Sequence, residues 1–238
     1  METKNPKSSI RLRFDLINPH AVAYARTHLS EYLGPLKERG REIIQREVMR
    51  AMSGQQTPQQ VARLIRDNAL ALTPEQILAS DAYWKDLIKK KLDANTINRR
   101  MAKFNARQLQ ERAETIARTE VHRAALHGTL ASWKDAARRG TIILDEWVKV
   151  WHVTWDERLC DVCEAMDGVA VEVAGEFAPT VLVPDLHPQC RCTMDLIRKD
   201  KLEDYRRRVL GVRATGTERG REEAAGRAGK AAQAAVKP

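Results

Sequence analysis

All four cysteines of the chain fall within one short region, as Cys160 and Cys163 in "CDVC" and as Cys190 and Cys192 in "HPQCRC". Zinc binds thiolate and imidazole in tetrahedral geometry, and closed structural sites hold four such ligands. The two-residue gap lets a tight turn aim Cys160 and Cys163 at one ion. The single-residue gap puts Cys190 and Cys192 on the same side of an extended backbone. Each pair is therefore half of a site. His187 stands three positions before Cys190, and Pro188 biases it toward an extended conformation. Its imidazole can replace one thiolate or brace the site from outside, so the fourth ligand is either Cys192 or His187.

The compartment decides between a metal and a disulfide. The segment "METKNPKSSIRLRFDL" lacks the apolar core of a signal peptide, and no apolar run approaches the roughly 20 residues that span a bilayer. The expectation is a protein made in the cytosol, without membrane contact, where paired cysteines favour a metal over a lasting disulfide. A disulfide formed after assembly, or cysteines that merely pack, are the alternatives. Four protein ligands would leave a catalytic metal no open position. The glutamate that follows the histidine ligand in zinc deaminases is missing. A cysteine nucleophile with His187 or His152 as base would lack the usual glycine-rich context. No enzymatic activity and no small-molecule substrate are expected.

The region that carries the cysteines reads as a small α+β module at the end of a helical chain. In "TPQQ" and "TPEQ", Thr57 and Thr73 are candidate caps, Pro58 and Pro74 suit a first turn, and Gln60 and Gln76 are capping-box partners. Helices are predicted from both points, and upstream a helical stretch is predicted to break at Gly34-Pro35. From Thr96 to Arg139 the chain has few breakers, which predicts one long helix or two consecutive ones. Trp147, Trp151, Val153 and Trp155 share one parity, as on a strand or hairpin whose aromatics face a core. "GVAVEV" at 168–173 and "CRCTMDLI" at 190–197 are further strand candidates. The organisation expected is a helical region over 1–95, an α+β module with its metal site over 96–197, and a flexible basic tail over 198–238.

The ordered set "IARTEVHRA", "WHVTWDERLCDVCEAMDGVAV", "GEF" and "LHPQCRCTM" resembles the phage head morphogenesis family, the Mu F-like minor capsid proteins. The likeness covers about residues 100–197. Its motif residues here are Arg118, Thr119, Glu120, Trp155, Asp156, Asp167, Gly168, Pro188 and Arg191, together with the cysteines and His187. Members often have asparagine where this chain has Gln189. The resemblance implies a low-copy virion protein near the portal vertex, with portal, capsid and scaffold proteins as partners. It would be made in the host cytoplasm and end inside the capsid. Similar domains also occur at the front of toxins, but the part after Leu196 is short for a separate enzyme.

Bland roles compete at several of these positions. Arg118 and Glu120 are read as helix surface or as anchors to the cysteine module. Asp156 is read as a turn acceptor, and Asp167-Gly168 as a turn into the next strand rather than an acidic ion site with Asp161. The chain carries 41 lysines and arginines against 32 acidic residues, for a net charge of +9. Such an excess favours polyanionic partners. In the tail, Arg206, Arg207, Arg208, Arg213, Arg219 and Arg221 are candidates for sequence-independent contact with DNA phosphates. A zinc-dependent regulator of sequence-selective duplex binding would need a recognition helix after the metal pairs, and none is recognisable.

Overall fold

Both Thr-Pro signals open helices in the computed structural model, which describes residues 18–28, 36 and 38–209. Thr57 and Thr73 cap α3 (Pro58–Asn68) and α4 (Pro74–Lys89). Each hydroxyl accepts the backbone N–H of the glutamine three residues on, and that glutamine's side chain accepts the threonine N–H. The reciprocal pair satisfies donors that the first turn leaves open. Two helices precede them, α1 (Pro19–Thr27) and α2 (Glu38–Met52). The break expected at Gly34-Pro35 lies outside the described residues.

The segment after Asp93 forms one uninterrupted 45-residue helix, α5 (Ala94–Arg138), roughly 68 Å long at 1.5 Å per residue. Its neighbours change along its length. Around residues 97–108 it pairs with α4, with Ser80 hydrogen-bonded to Asn105 at 2.7 Å and Tyr83 stacked on Phe104. Ala113, Ile116, Ala117 and Ala124 then close a core with Ala25, Ile44, Val48, Val61 and Ile65. The N-terminal helices thus share a core with the long helix across the boundary expected near residue 95. Finally Leu126, Leu130 and Trp133 pack on the C-terminal module. A Cβ on Gly128 would meet Ala21 Cβ at 2.5 Å, so the missing side chain is what lets α1 approach α5 so closely.

That module is built on a three-stranded antiparallel sheet in the order β2-β1-β3, with β1 (Trp147–His152) central between β2 (Ala170–Glu172) and β3 (Thr193–Arg198). Both faces of β1 are covered, so parity does not separate buried from exposed positions there. One face, with Trp147 and Trp151, belongs to the cores reaching α5 and the 173–192 loop. On the other, Val148 and Val150 lie under Leu202 and Tyr205 of α7 (Leu202–Val209). Trp155 departs from the core expected for it: the strand ends at His152 and the indole is half exposed, donating to Asp167 at 3.3 Å.

The tail does not begin where expected. Residues 199–201 form a 3₁₀ turn that leads into α7, because Leu202 and Tyr205, one turn apart, find the open face of the sheet. The Tyr205 hydroxyl also donates to Asp195. Among the described residues, no helix is long and apolar enough to cross a membrane.

Candidate metal centre

Two turns bring the cysteine pairs together. Cys160 caps the short α6 (Asp161–Glu164), and its sulfur accepts the Cys163 N–H at 3.5 Å. Across from it, "HPQC" makes a turn in which the Cys190 N–H donates to the His187 carbonyl at 3.2 Å and Gln189 stands in the left-handed region at φ +59°. Cys190 and Cys192 precede β3 instead of lying on it, so their convergence comes from this turn and not from strand alternation.

The result is a cluster of five donors centred on Cys163. His187 Nε2 lies 3.4 Å from Cys160 Sγ and 3.2 Å from Cys163 Sγ, and Cys163 Sγ lies 3.8 Å from Cys190 Sγ. The ligand atoms of Cys160, Cys163 and His187 all fall within 4.8 Å of one another, as do those of Cys163, Cys190 and Cys192. All four cysteines are free thiols. A tetrahedral ion with metal–sulfur bonds of about 2.3 Å requires sulfurs roughly 3.8 Å apart, and the Cys163–Cys190 separation meets this. His187 Nδ1 faces the Pro188 carbonyl at 2.8 Å; an N–H there leaves Nε2 with its lone pair toward the sulfurs, the orientation that carbonyl-braced histidine ligands adopt.

The electrostatics suit a cation. Hydrogen bonds from Cys163, then Cys192, and from His187 hold the Cys190 thiol far below its usual range despite burial. Cys163 is pushed far up by its hydrogen bonds to Cys190 and Cys192 and by burial. Cys192 is pulled down by Cys163, but Cys190 and burial prevail and carry it to about 12. His187 is raised to about 9, chiefly by Cys190. Burial raises Cys160, yet the Cys163 N–H and His187 bring it below the ordinary thiol value. Crowded sulfurs that share protons in this way are what a divalent ion displaces protons from.

The helix motif turns out to be the clamp on this centre. Thr119 Oγ1 accepts the Gln189 N–H at 3.0 Å while donating to the Thr115 carbonyl at 2.7 Å. His122 Nε2 meets the Cys192 carbonyl at 2.9 Å. The anchoring expected of Arg118 or Glu120 thus comes from Thr119 and His122. Arg118 is half exposed near Glu114 at 3.8 Å, and Glu120 is buried close to Arg123. His122 lies within the matched segment "IARTEVHRA" and on the same helix face as Thr119, three residues on, but residue type and spacing alone give it no role.

Asp156 accepts from the Arg158 N–H at 2.9 Å and pairs with both terminal nitrogens of Arg191; Arg191 holds its carboxyl down at about 2. Asp167 receives the Val153 N–H at 3.1 Å, and Gly168, at φ +74°, turns the chain into β2. Asp156 thus serves a turn, and Asp167 ties down the chain just after β1. Arg118, His122, Arg158, His187 and Arg191, with Pro188, border a cleft of about 510 Å³ beside the centre. Arg206 and Arg207 sit on α7 paired with Glu203 and Asp204, Arg206 largely covered, so they belong to a packed helix and not a free arm. The Arg208 side chain, Arg213, Arg219 and Arg221 lie outside the described residues.

Residues 42–195, well over half of the chain, match the family model described as "Phage Mu protein F like protein". The match extends beyond the region recognised by its motifs and takes in α3, α4 and most of α2. No curated protein sequence and no solved structure matches the chain.

Proposed function

Because the chain belongs to the phage Mu protein F like family, we propose that it is a non-enzymatic minor capsid protein. It acts at the portal vertex during procapsid assembly and DNA packaging or delivery, and it passes from the host cytoplasm into the virion. A zinc ion held by Cys160, Cys163, His187 and Cys190 staples its C-terminal module, with Cys192 buried alongside as the fifth donor. The ion supplies folding free energy and no reaction, joining two loops at the edge of the module's core.

The observation that carries this reading is how the motif side chains are used. Thr119 and His122 bind backbone groups of the loop bearing Cys190 and Cys192, and Asp156 binds Arg191. Each is committed to holding the module together. Fractionation of procapsids tests it: the protein is expected to co-sediment with portal-containing heads and to stay in the soluble fraction when the portal gene is deleted. Unchanged sedimentation without the portal would contradict portal association. The segment after Val209, with Arg213, Arg219 and Arg221, is proposed to contact DNA phosphates without reading sequence, so binding in gel shifts should fall steeply with salt.

A further inference from the structure

α4 has two faces with different fates. Ser80 and Leu87 are buried against α5. The adjacent face carries Ile77, Trp84 and Ile88, each about half exposed, and Leu78, 69% exposed. Ile77, Asp81, Trp84 and Ile88 follow one another at spacings of four, three and four, the repeat of a coiled-coil seam. Scattered surface apolar residues need no explanation, but three of them on one helix seam with a tryptophan among them, beside an exposed Leu78, do.

We propose that this stripe is a self-association surface at which two copies of the chain pair through antiparallel α4 helices. The stripe carries its own complement. A two-fold axis near residues 82–83 sets Ile77 of one copy opposite Ile88 of the other and brings the two Trp84 rings side by side. It also puts Asp81 of each copy next to Lys85 of the other, on the same side of the seam, so two symmetric ion pairs form. A parallel pairing would instead oppose Asp81 to Asp81. The antiparallel arrangement also sets the two helix dipoles against each other, and an isologous interface of this kind closes at a dimer. A polar residue at one seam position fixes register, which is the role this gives Asp81. Each copy brings the adjoining stretch of α5, so two α4–α5 pairs meet as a four-helix assembly.

Sedimentation velocity of the full-length protein across a concentration range tests this. The mass should move from 27.0 kDa toward twice that value as concentration rises. Trp84→Asp, Asp81→Lys and Lys85→Asp should each hold the protein at 27.0 kDa with unchanged far-UV circular dichroism, since all three side chains are exposed in one copy. Combining Asp81→Lys with Lys85→Asp should restore the dimer. A wild-type chain that stays monomeric throughout would overturn the proposal, leaving the stripe to another protein. So would a dimer that ignores the single reversals, or a double reversal that fails to rescue it.

Discussion

The hydroxyl of Thr119 accepts the backbone N–H of Gln189 at 3.0 Å, joining the long helix to the turn that aims Cys190 at its partners. Thr119→Val leaves that N–H without a partner and should cost about 1–2 kcal/mol in urea unfolding. Gln189 itself stands at φ +59°, where a side chain other than asparagine is disfavoured. Gln189→Gly should therefore raise stability by about 0.5–1 kcal/mol, offset only in part by loss of the exposed bond to Thr115. A destabilised Gln189→Gly would show that the turn is not held in this conformation.

The contact between Gly128 and Ala21 makes the next expectation. An added methyl at 128 would sit 2.5–2.7 Å from Ala21 atoms, two of them backbone, so α1 has to move. Gly128→Ala should lower the unfolding midpoint, at a cost of about 1–3 kcal/mol, although alanine is the better helix former. A gain in stability would mean that α1 does not pack there.

Where the chain is cut decides what a truncation reports. Ending it after Arg198 strips Leu202 and Tyr205 from Val148 and Val150. That should destabilise the module by several kcal/mol, at about 1.5–3 for each large apolar side chain uncovered. Ending it after Val209 should leave the thermal midpoint unchanged. Only the second variant isolates the segment proposed to bind DNA, and equal loss of stability in both would mean that α7 does not cap the sheet.

Much of this was legible in the residues. The capping boxes at Thr57 and Thr73 and the long helix follow from short-range chemistry, and the pairing of the cysteines, though not the turn that brings them together, is legible in their spacing. Trp155 and α7 are not legible in the residues, because their burial depends on distant elements: strand parity says nothing about where β1 ends, and Leu202 and Tyr205 are too few to signal a core until an uncovered sheet face is known. The role of His122 is hidden for the same reason, since its partner is a backbone carbonyl 70 residues away.

Lys149 is fully buried in β1, donating to the Leu182 carbonyl at 2.6 Å with its ammonium 5.0 Å from the Phe177 ring centre. Burial, with help from Lys134, lowers its pKa from 10.5 to about 8. Below pH 8 both folded and unfolded chains hold the proton, and the fold bears the cost of burying it. Between about 8 and 10.5 the unfolded chain binds more protons, so this side chain makes stability rise with pH. Wild-type urea midpoints should gain on those of Lys149→Met across that interval. A constant difference between the two would rule out a buried, titrating lysine.

The metal content of the purified protein tests the central claim most directly. Prepared under reducing conditions, the chain should carry one zinc ion. Cys163→Ser should lose the ion along with the fixed aromatic circular dichroism of the module, whereas Cys192→Ala should retain it. A metal-free wild-type chain with that dichroism intact would contradict the account, and so would a Cys163–Cys190 disulfide in place of the ion.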